Sequence, residues 1–187
     1  MFDQLVKYRN LVTLPDGTRA LLRPLVAGDR ETLVDLFTHA SEEDRRYLRD
    51  DVTNRELVAS WADNLNYSRV FPLVAVMRDR VVGDATLHFR RGAHRHQGEV
   101  RIYLAQEVRR RGLGTQMLRV LIDIARNAGL HQLVAEVVTD QGPVIRAFEE
   151  LGFIRQCTLS DYFMLPDGST RDVALLVLPL VLHRGEF

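Results

Sequence analysis

The stretch from Glu99 to Gly129 constrains the fold of this chain more than any other part of it. Glu99-Val100-Arg101-Ile102-Tyr103-Leu104-Ala105 alternates polar and apolar residues, the period of a strand. Arg109-Arg110-Arg111 then runs into Gly112-Leu113-Gly114. From about Gly112 to Ala128 the residues Leu113, Met117, Leu118, Leu121, Ile122 and Ala125 share one helical stripe, and Gly129 follows as a C-terminal cap. A strand, a turn rich in backbone N–H groups and a helix N-terminus make an anion site. The first helical N–H groups have no internal partner, and the helix dipole favours negative charge there. Gly112 and Gly114 carry no Cβ, so a phosphate can approach the main chain closely. A diphosphate is the natural guest.

The remaining sequence supplies a sheet for that helix. Strand-like runs fall at Ala20 to Arg23, Phe71 to Met77, Val81 to Phe89, Leu133 to Val138, Phe153 to Leu159 and Val173 to Leu178. Arg78-Asp79-Arg80 has the spacing of a hairpin turn. Asp29 is placed to cap a helix from about Arg30 to Phe37, and Ser41-Glu42-Glu43-Asp44 resembles a capping box. Further helices are predicted from Arg55 to about Asn64 and from Pro143 to Leu151, with Gly152 just past the second. Leu14-Pro15-Asp16-Gly17 and Leu165-Pro166-Asp167-Gly168 are two similar turns. The order β-α-α-α-β-β-β-α-β-α-β-β predicts an α/β fold, one domain over 1–187, with helices packed on a mixed sheet.

Known diphosphate patterns can be tested against the glycine turn. A P-loop needs a lysine after its last glycine, and there is none here. A dinucleotide fingerprint needs a third glycine where Met117 stands. Arg109-Arg110-Arg111-Gly112-Leu113-Gly114 does meet the pattern Arg/Gln-x-x-Gly-x-Gly/Ala, the acetyl-CoA motif of the GNAT N-acetyltransferases. The segment from Gln141-Gly142-Pro143-Val144 through Phe148 to Gly152-Phe153 resembles their second signature, Asn-x-x-Ala-x-x-x-Tyr-x-x-x-Gly-Phe. Leu22-Arg23-Pro24-Leu25 and Asp29 look like their first strand and turn, so the resemblance spans about residues 18 to 178.

That resemblance implies a twisted, mostly antiparallel sheet with splayed central strands, acetyl-CoA as cosubstrate and no metal. It implies that the backbone N–H groups of Arg110, Arg111, Gly112, Leu113, Gly114 and Thr115 bind the pyrophosphate. The Arg109, Arg110 and Arg111 side chains would add positive charge, with the ribose phosphate in reach. The strand at Ile102, Tyr103 and Leu104 would hold the acetyl carbonyl, with the N–H of Leu104 as oxyanion donor. Gln141 stands where Asn is usual. Phe148 stands where a tyrosine often protonates the departing thiolate; it can line the pantetheine but has no proton to give.

The general base is expected on the strand before the loop. A lysine amine has a pKa near 10.4, so it must lose a proton before it attacks a thioester. Glu99 is the first candidate and Glu107, nearer the loop, is its rival. Without a bulge, Glu99, Arg101 and Tyr103 share one face. Glu99 ten residues before Arg109, and the opening Leu14-Pro15-Asp16-Gly17-Thr18-Arg19-Ala20-Leu21-Leu22-Arg23-Pro24, are similar to bacterial Pat-type protein lysine acetyltransferases. The acceptor expected on that likeness is a protein lysine; a small amine, with Asp44, Asp50 and Asp51 as possible pocket walls, is the alternative, and a non-catalytic acyl-CoA sensor the third reading. Tyr162 and Asp161 are possible acceptor-side residues. Lys7 is the only lysine among 25 lysine and arginine residues, which bears on a lysine-modifying enzyme only as a curiosity.

Charge and composition narrow the partners. With 25 basic and 25 acidic residues the formal charge is zero, so nothing favours nucleic acid or an anionic membrane surface. The longest apolar run, Val173 to Leu182, is broken by Pro179 and is far short of the roughly 20 residues of a membrane helix. The opening MFDQLVKYRN lacks a signal-peptide pattern, and Cys157 is alone, so a cytoplasmic chain without a disulfide framework is expected. His94-x-His96 lacks a third ligand for a metal. A monomer, or a homodimer paired through the C-terminal strands, is expected.

Overall fold

The computed structural model describes residues 6–181, and the two ends of the expected 1–187 domain lie outside them. Within them the chain builds β1 (Asn10–Thr13), β2 (Arg19–Pro24), α1 (Arg30–Thr38), α2 (Glu42–Arg45), α3 (Arg55–Asp63), β3 (Val70–Met77), β4 (Arg80–Phe89), β5 (Gln97–Leu104), α4 (Leu113–Asn127), β6 (Gln132–Val138), α5 (Gly142–Glu150), β7 (Ile154–Met164) and β8 (Thr170–Pro179). The strands form one sheet in the order β1-β2-β3-β4-β5-β6-β8-β7. Every neighbouring pair is antiparallel except β5 and β6.

Strand alternation sends consecutive residues to opposite faces, and each face has its own core. On one, α4 lays Leu113, Met117 and Leu121 against Phe71, Leu73, Ala85 and Leu87, with Ile102 and Leu104 beside them. On the other, α1 and α3 lay Leu33, Phe37, Val58 and Ala62 against Val74 and Val81, with Tyr103 beside them. Each fully buried leucine or phenylalanine contributes roughly 1.5–3 kcal/mol. The stripe read along α4 is the buried one.

The parallel pairing of β5 with β6 is short. It joins Gln97 to Gln132, Gly98 to Leu133 and Glu99 to Val134, and then stops. β5 continues to Leu104 and β6 to Val138, so the two strands part beyond Glu99 and leave a wedge in the middle of the sheet.

Several local features differ from the sequence reading. β1 was not expected; it pairs with β2 around the first Leu-Pro-Asp-Gly turn. Both such turns close alike, with Gly17 N–H donating to Leu14 O and Gly168 N–H to Leu165 O. β7 runs on to Met164, past the expected end at Leu159, because the register shifts there and Asp161 takes φ 53. Polar Ser160-Asp161 hides that continuation from a periodicity argument. Asp29 does not cap α1 with its side chain. Its carboxylate instead forms two 2.6 Å bonds with Arg23 and accepts from Val26 N–H at 2.9 Å. A guanidinium within reach outcompetes a helix N–H for a carboxylate.

Candidate active site

The site begins with the free edge of β5. Ala105 N–H donates to Val82 O at 2.9 Å, while Tyr103 lies opposite Asp84 and Leu104 opposite Gly83. Backbone groups of successive strand residues point to opposite sides. Arg101 and Tyr103 therefore bond to β4. Ile102 and Leu104 turn their N–H and C=O groups the other way, into the wedge that β6 has left open.

The glycine loop borders the same wedge. Arg110 has φ 55 and Gly112 φ 79, both left-handed. A Cβ on Gly112 would meet nothing within 4 Å, so that face of the loop is open. The first bond of α4 is Gln116 N–H to Gly112 O, which leaves the N–H groups of Leu113, Gly114 and Thr115 without an internal acceptor. Gly114 also has a packing role. Its missing Cβ would sit 3.2 Å from Leu104 Cδ1 and 3.6 Å from Ile102 Cδ1, so this glycine seats the helix on β5.

The three loop arginines divide their work. Arg109 donates to both Asp44 oxygens at 2.8 Å and to Leu104 O at 2.7 and 2.9 Å, with its guanidinium 5.5 Å from the Tyr103 ring centre. It is a strut between α2 and β5. Its charge holds the Asp44 carboxyl below the usual range although burial pushes the other way. Arg111 bonds Asp16, Thr18 Oγ1 and Glu107 O. Arg110 has no ion pair among the described residues and lines the cavity, so its charge is available to a ligand.

A cavity of about 840 Å³ occupies the wedge and continues beneath the helices of one face. Towards the loop it is lined by Ile102, Leu104, Arg110, Gly112, Gly114, Thr115, Gln141 and Phe148. Towards α1 and α3 it is lined by Phe37, Trp61 and Tyr103, over a floor of Asp84, Thr86, His88 and Arg101. Phe37 stacks on Tyr103 at 5.2 Å and meets Trp61 edge-on at 5.4 Å. Burial holds the Tyr103 hydroxyl up at about 12 and pushes His88 down to about 4, so both are neutral at pH 7.

Glu99 stands behind this wall, opposite His88. It is buried and meets Arg101 at 2.8 Å, Arg49 at 3.3 Å and Arg90 at 3.5 Å. Burial raises its pKa, but Arg101 and Arg49 outweigh that and hold the carboxyl below its usual range. Arg49 and Arg90 also reach Glu136, at 2.7 and 3.7 Å, and Glu136 lines the cavity. The same face carries Glu99 and Arg101, as the strand period required.

The family model described as the Acetyltransferase (GNAT) family matches residues 32–153. The chain belongs to this family. N-alpha-acetyltransferase 30 of Schizosaccharomyces pombe is 28% identical over 99 residues, a stretch that spans 50% of this chain and 64% of that protein. The GNAT domain of S. lividans PAT superposes with a TM-score of 0.77 at 20% identity, covering 91% of this chain and 96% of that one. Ribosomal-protein-alanine N-acetyltransferase from Brucella melitensis gives 0.74 at 26% identity, covering 84% and 98%. The structure of yncA from Salmonella typhimurium with its cofactor acetyl-CoA gives 0.75 at 23% identity, covering 88% and 96%.

Acetyl-CoA is the cosubstrate of the GNAT family, and the residues present fit it. The open face at Gly112, the unpaired amides of the first α4 turn and the uncommitted Arg110 suit a pyrophosphate. The outward amides of Ile102 and Leu104 suit an amide-bearing arm and its acyl group. Phe148 is buried in this GNAT chain, edge-on to Phe153 at 5.0 Å, and offers the arm an apolar wall.

Other residues singled out in the sequence separate here. Asp44 and Asp50 line the cavity, Asp44 already bound by Arg109, whereas Asp51 bonds Thr53 and does not line it. Tyr162 is exposed and lines a smaller cavity of about 250 Å³ with Tyr47, Arg49 and Glu136. Among the described residues no cluster of three His, Cys, Asp or Glu could hold a metal ion. Asp84 was missed altogether. A lone aspartate in the run Val82-Gly83-Asp84-Ala85 was the available signal, a charge flanked by small and apolar residues within a strand.

Proposed function

We propose that this chain moves the acetyl group of acetyl-CoA onto a primary amine by direct attack. The observation that carries the reading is the wedge. Two strand amides face it, and the glycine loop and an aromatic-walled pocket open into the same cavity. The amine lone pair attacks the thioester carbonyl, whose oxygen takes the Leu104 N–H. The carbon–sulfur bond breaks and CoA leaves as thiolate. A thiol pKa near 8.5 lets it leave at neutral pH without the acid that Phe148 cannot be.

Glu99 takes the amine proton in this scheme, through one water past the cavity wall at His88 and Arg101. Its lowered pKa keeps it ionised at neutral pH, as a proton acceptor must be. Glu99→Gln is expected to cut kcat by about 100-fold or more while acetyl-CoA affinity stays within about twofold. Steady-state CoA release and calorimetry check both numbers. An unchanged kcat removes Glu99 from the proton path.

The acceptor is an amine on a slender stem, since aromatic rings wall the pocket. A protein lysine is supported by the likeness of the N-terminal segment and the Glu99 spacing to Pat-type enzymes. A small free amine is the second reading. It is favoured by the roof that α1 and α3 place over the acceptor side and by the carboxyl on its floor. CoA release against a panel of proteins and a panel of small amines separates the two.

A further inference from the structure

Asp84 stands on the cavity floor, and no ion pair joins it among the described residues. Its Oδ1 is fully enclosed and has no hydrogen-bond partner among the described residues. Yet the residue lines the cavity. Thr86, next on that face, is bonded to His88 Nε2 at 3.0 Å, and the nearest basic residue on the floor, Arg101, is turned to Glu99 at 2.8 Å. Burial alone acts on the Asp84 carboxyl and raises it to about 7, with no neighbouring charge contributing. An enclosed carboxyl oxygen without a partner is costly, and folded proteins rarely keep one without a ligand, water or ion to satisfy it. The walls around it are Phe37, Trp61 and Tyr103, whose rings meet at 5.2 and 5.4 Å. Phe37 stacks on Tyr103 and Arg109 lies over the same ring, so the rings offer apolar packing for a stem while the carboxyl supplies the charge that an alkylammonium needs.

We propose that the pocket of Asp84, Phe37, Trp61 and Tyr103 is a subsite for a second cationic centre of the acceptor, which is therefore a small diamine. Asp84 lies on β4, opposite Tyr103 of β5. Adjacent strands are about 5 Å apart, so its carboxyl is displaced by one strand from the β5 edge where the thioester is held. One amine of the acceptor sits at the wedge and attacks, while the other stays protonated on Asp84. This rests on the acetyl-transfer reading and decides between its two acceptors.

The test titrates the full chain, saturated with CoA, with 1,5-diaminopentane and with 1-aminopentane at the same pH. The diamine is expected to bind tighter by about tenfold or more. In Asp84→Asn the two amines are expected to bind alike, with acetyl-CoA affinity retained as the check on folding. Equal binding in the parent chain overturns the subsite. So does a preference for diamine that survives Asp84→Asn. A monoamine that binds as well as the diamine and weakens in Asp84→Asn shows the nucleophile itself on Asp84, and also overturns the second centre. Repeating the titration without CoA gives the same comparison if the coenzyme fails to bind. Failure of acetyl-CoA binding strikes the transferase reading instead.

Discussion

At the scale of single residues, the sequence identified chemical types but not which partner each would choose. Arg109, Arg110 and Arg111 are identical as letters, and only the fold separates a strut, a spare cation and a tether. Arg110→Ala is expected to raise the KM for acetyl-CoA about three- to tenfold and to flatten its salt dependence, with little change in melting temperature. Arg109→Ala should do the reverse. It leaves Asp44 and Leu104 O without their main donor and is expected to cost about 1–2 kcal/mol, discounted for partial exposure. Equal effects of the two substitutions on KM and melting would contradict the division. Asp84 gives a pH signature. Its folded pKa of about 7 lies above the ordinary 3.8, so the folded state holds a proton that the unfolded state loses first. Stability contributed by this group therefore falls as pH rises from about 4 to about 7 and is level above. Asp84→Asn escapes that fall, so its stability relative to the parent chain should rise across this window. Denaturant titrations at pH 4.5 and pH 8 check it, and an advantage independent of pH would exclude the mechanism.

At the scale of elements, much was legible because period and punctuation are local. The α4 stripe, the Gly129 cap and both Leu-Pro-Asp-Gly turns follow from spacing alone, and all are found. What was lost depended on distant neighbours. β1 is a four-residue strand that exists only as the partner of β2, and β7 continues through two register shifts that its own sequence does not announce. The paired glycines show the same limit. Both were read as openings for a phosphate, and the fold adds what spacing does not show: Gly112 is required by its left-handed φ of 79, whereas Gly114 eases a close approach to Leu104. Gly112→Ala is thus expected to destabilise the chain by about 1–2 kcal/mol, which for this length lowers the melting temperature by roughly 2–8 °C. Gly114→Ala should be nearly neutral, since a small shift of Leu104 accommodates the new methyl and alanine favours the helix. A larger loss at Gly114 than at Gly112 would mean that packing, not backbone conformation, dominates this turn.

At the scale of the whole molecule, the wedge follows from a mismatch in pairing. β4 holds β5 along seven residue pairs and β8 holds β6 along seven, while β5 and β6 share three. Each strand follows its better-paired neighbour, and the sheet opens between them. The sequence resemblance implied a splay at the strand around Ile102 to Leu104, and the sheet opens there; that it opens just past Glu99 depends on register, which one sequence does not carry. The split predicts an alternating pattern of amide exchange along β5. Arg101 and Tyr103 donate to β4 and should exchange slowly with or without ligand. Ile102 and Leu104 face the wedge and should exchange about tenfold faster or more in the unliganded chain. Acetyl-CoA should slow these two amides and leave their neighbours unchanged, because it offers acceptors only on the side that β6 vacated. Residue-resolved exchange in the two states measures this directly. Uniform protection along β5 in the unliganded chain would mean that the wedge is closed in solution. Uniform protection on adding acetyl-CoA would mean that the coenzyme stiffens the sheet as a whole instead of docking on that edge.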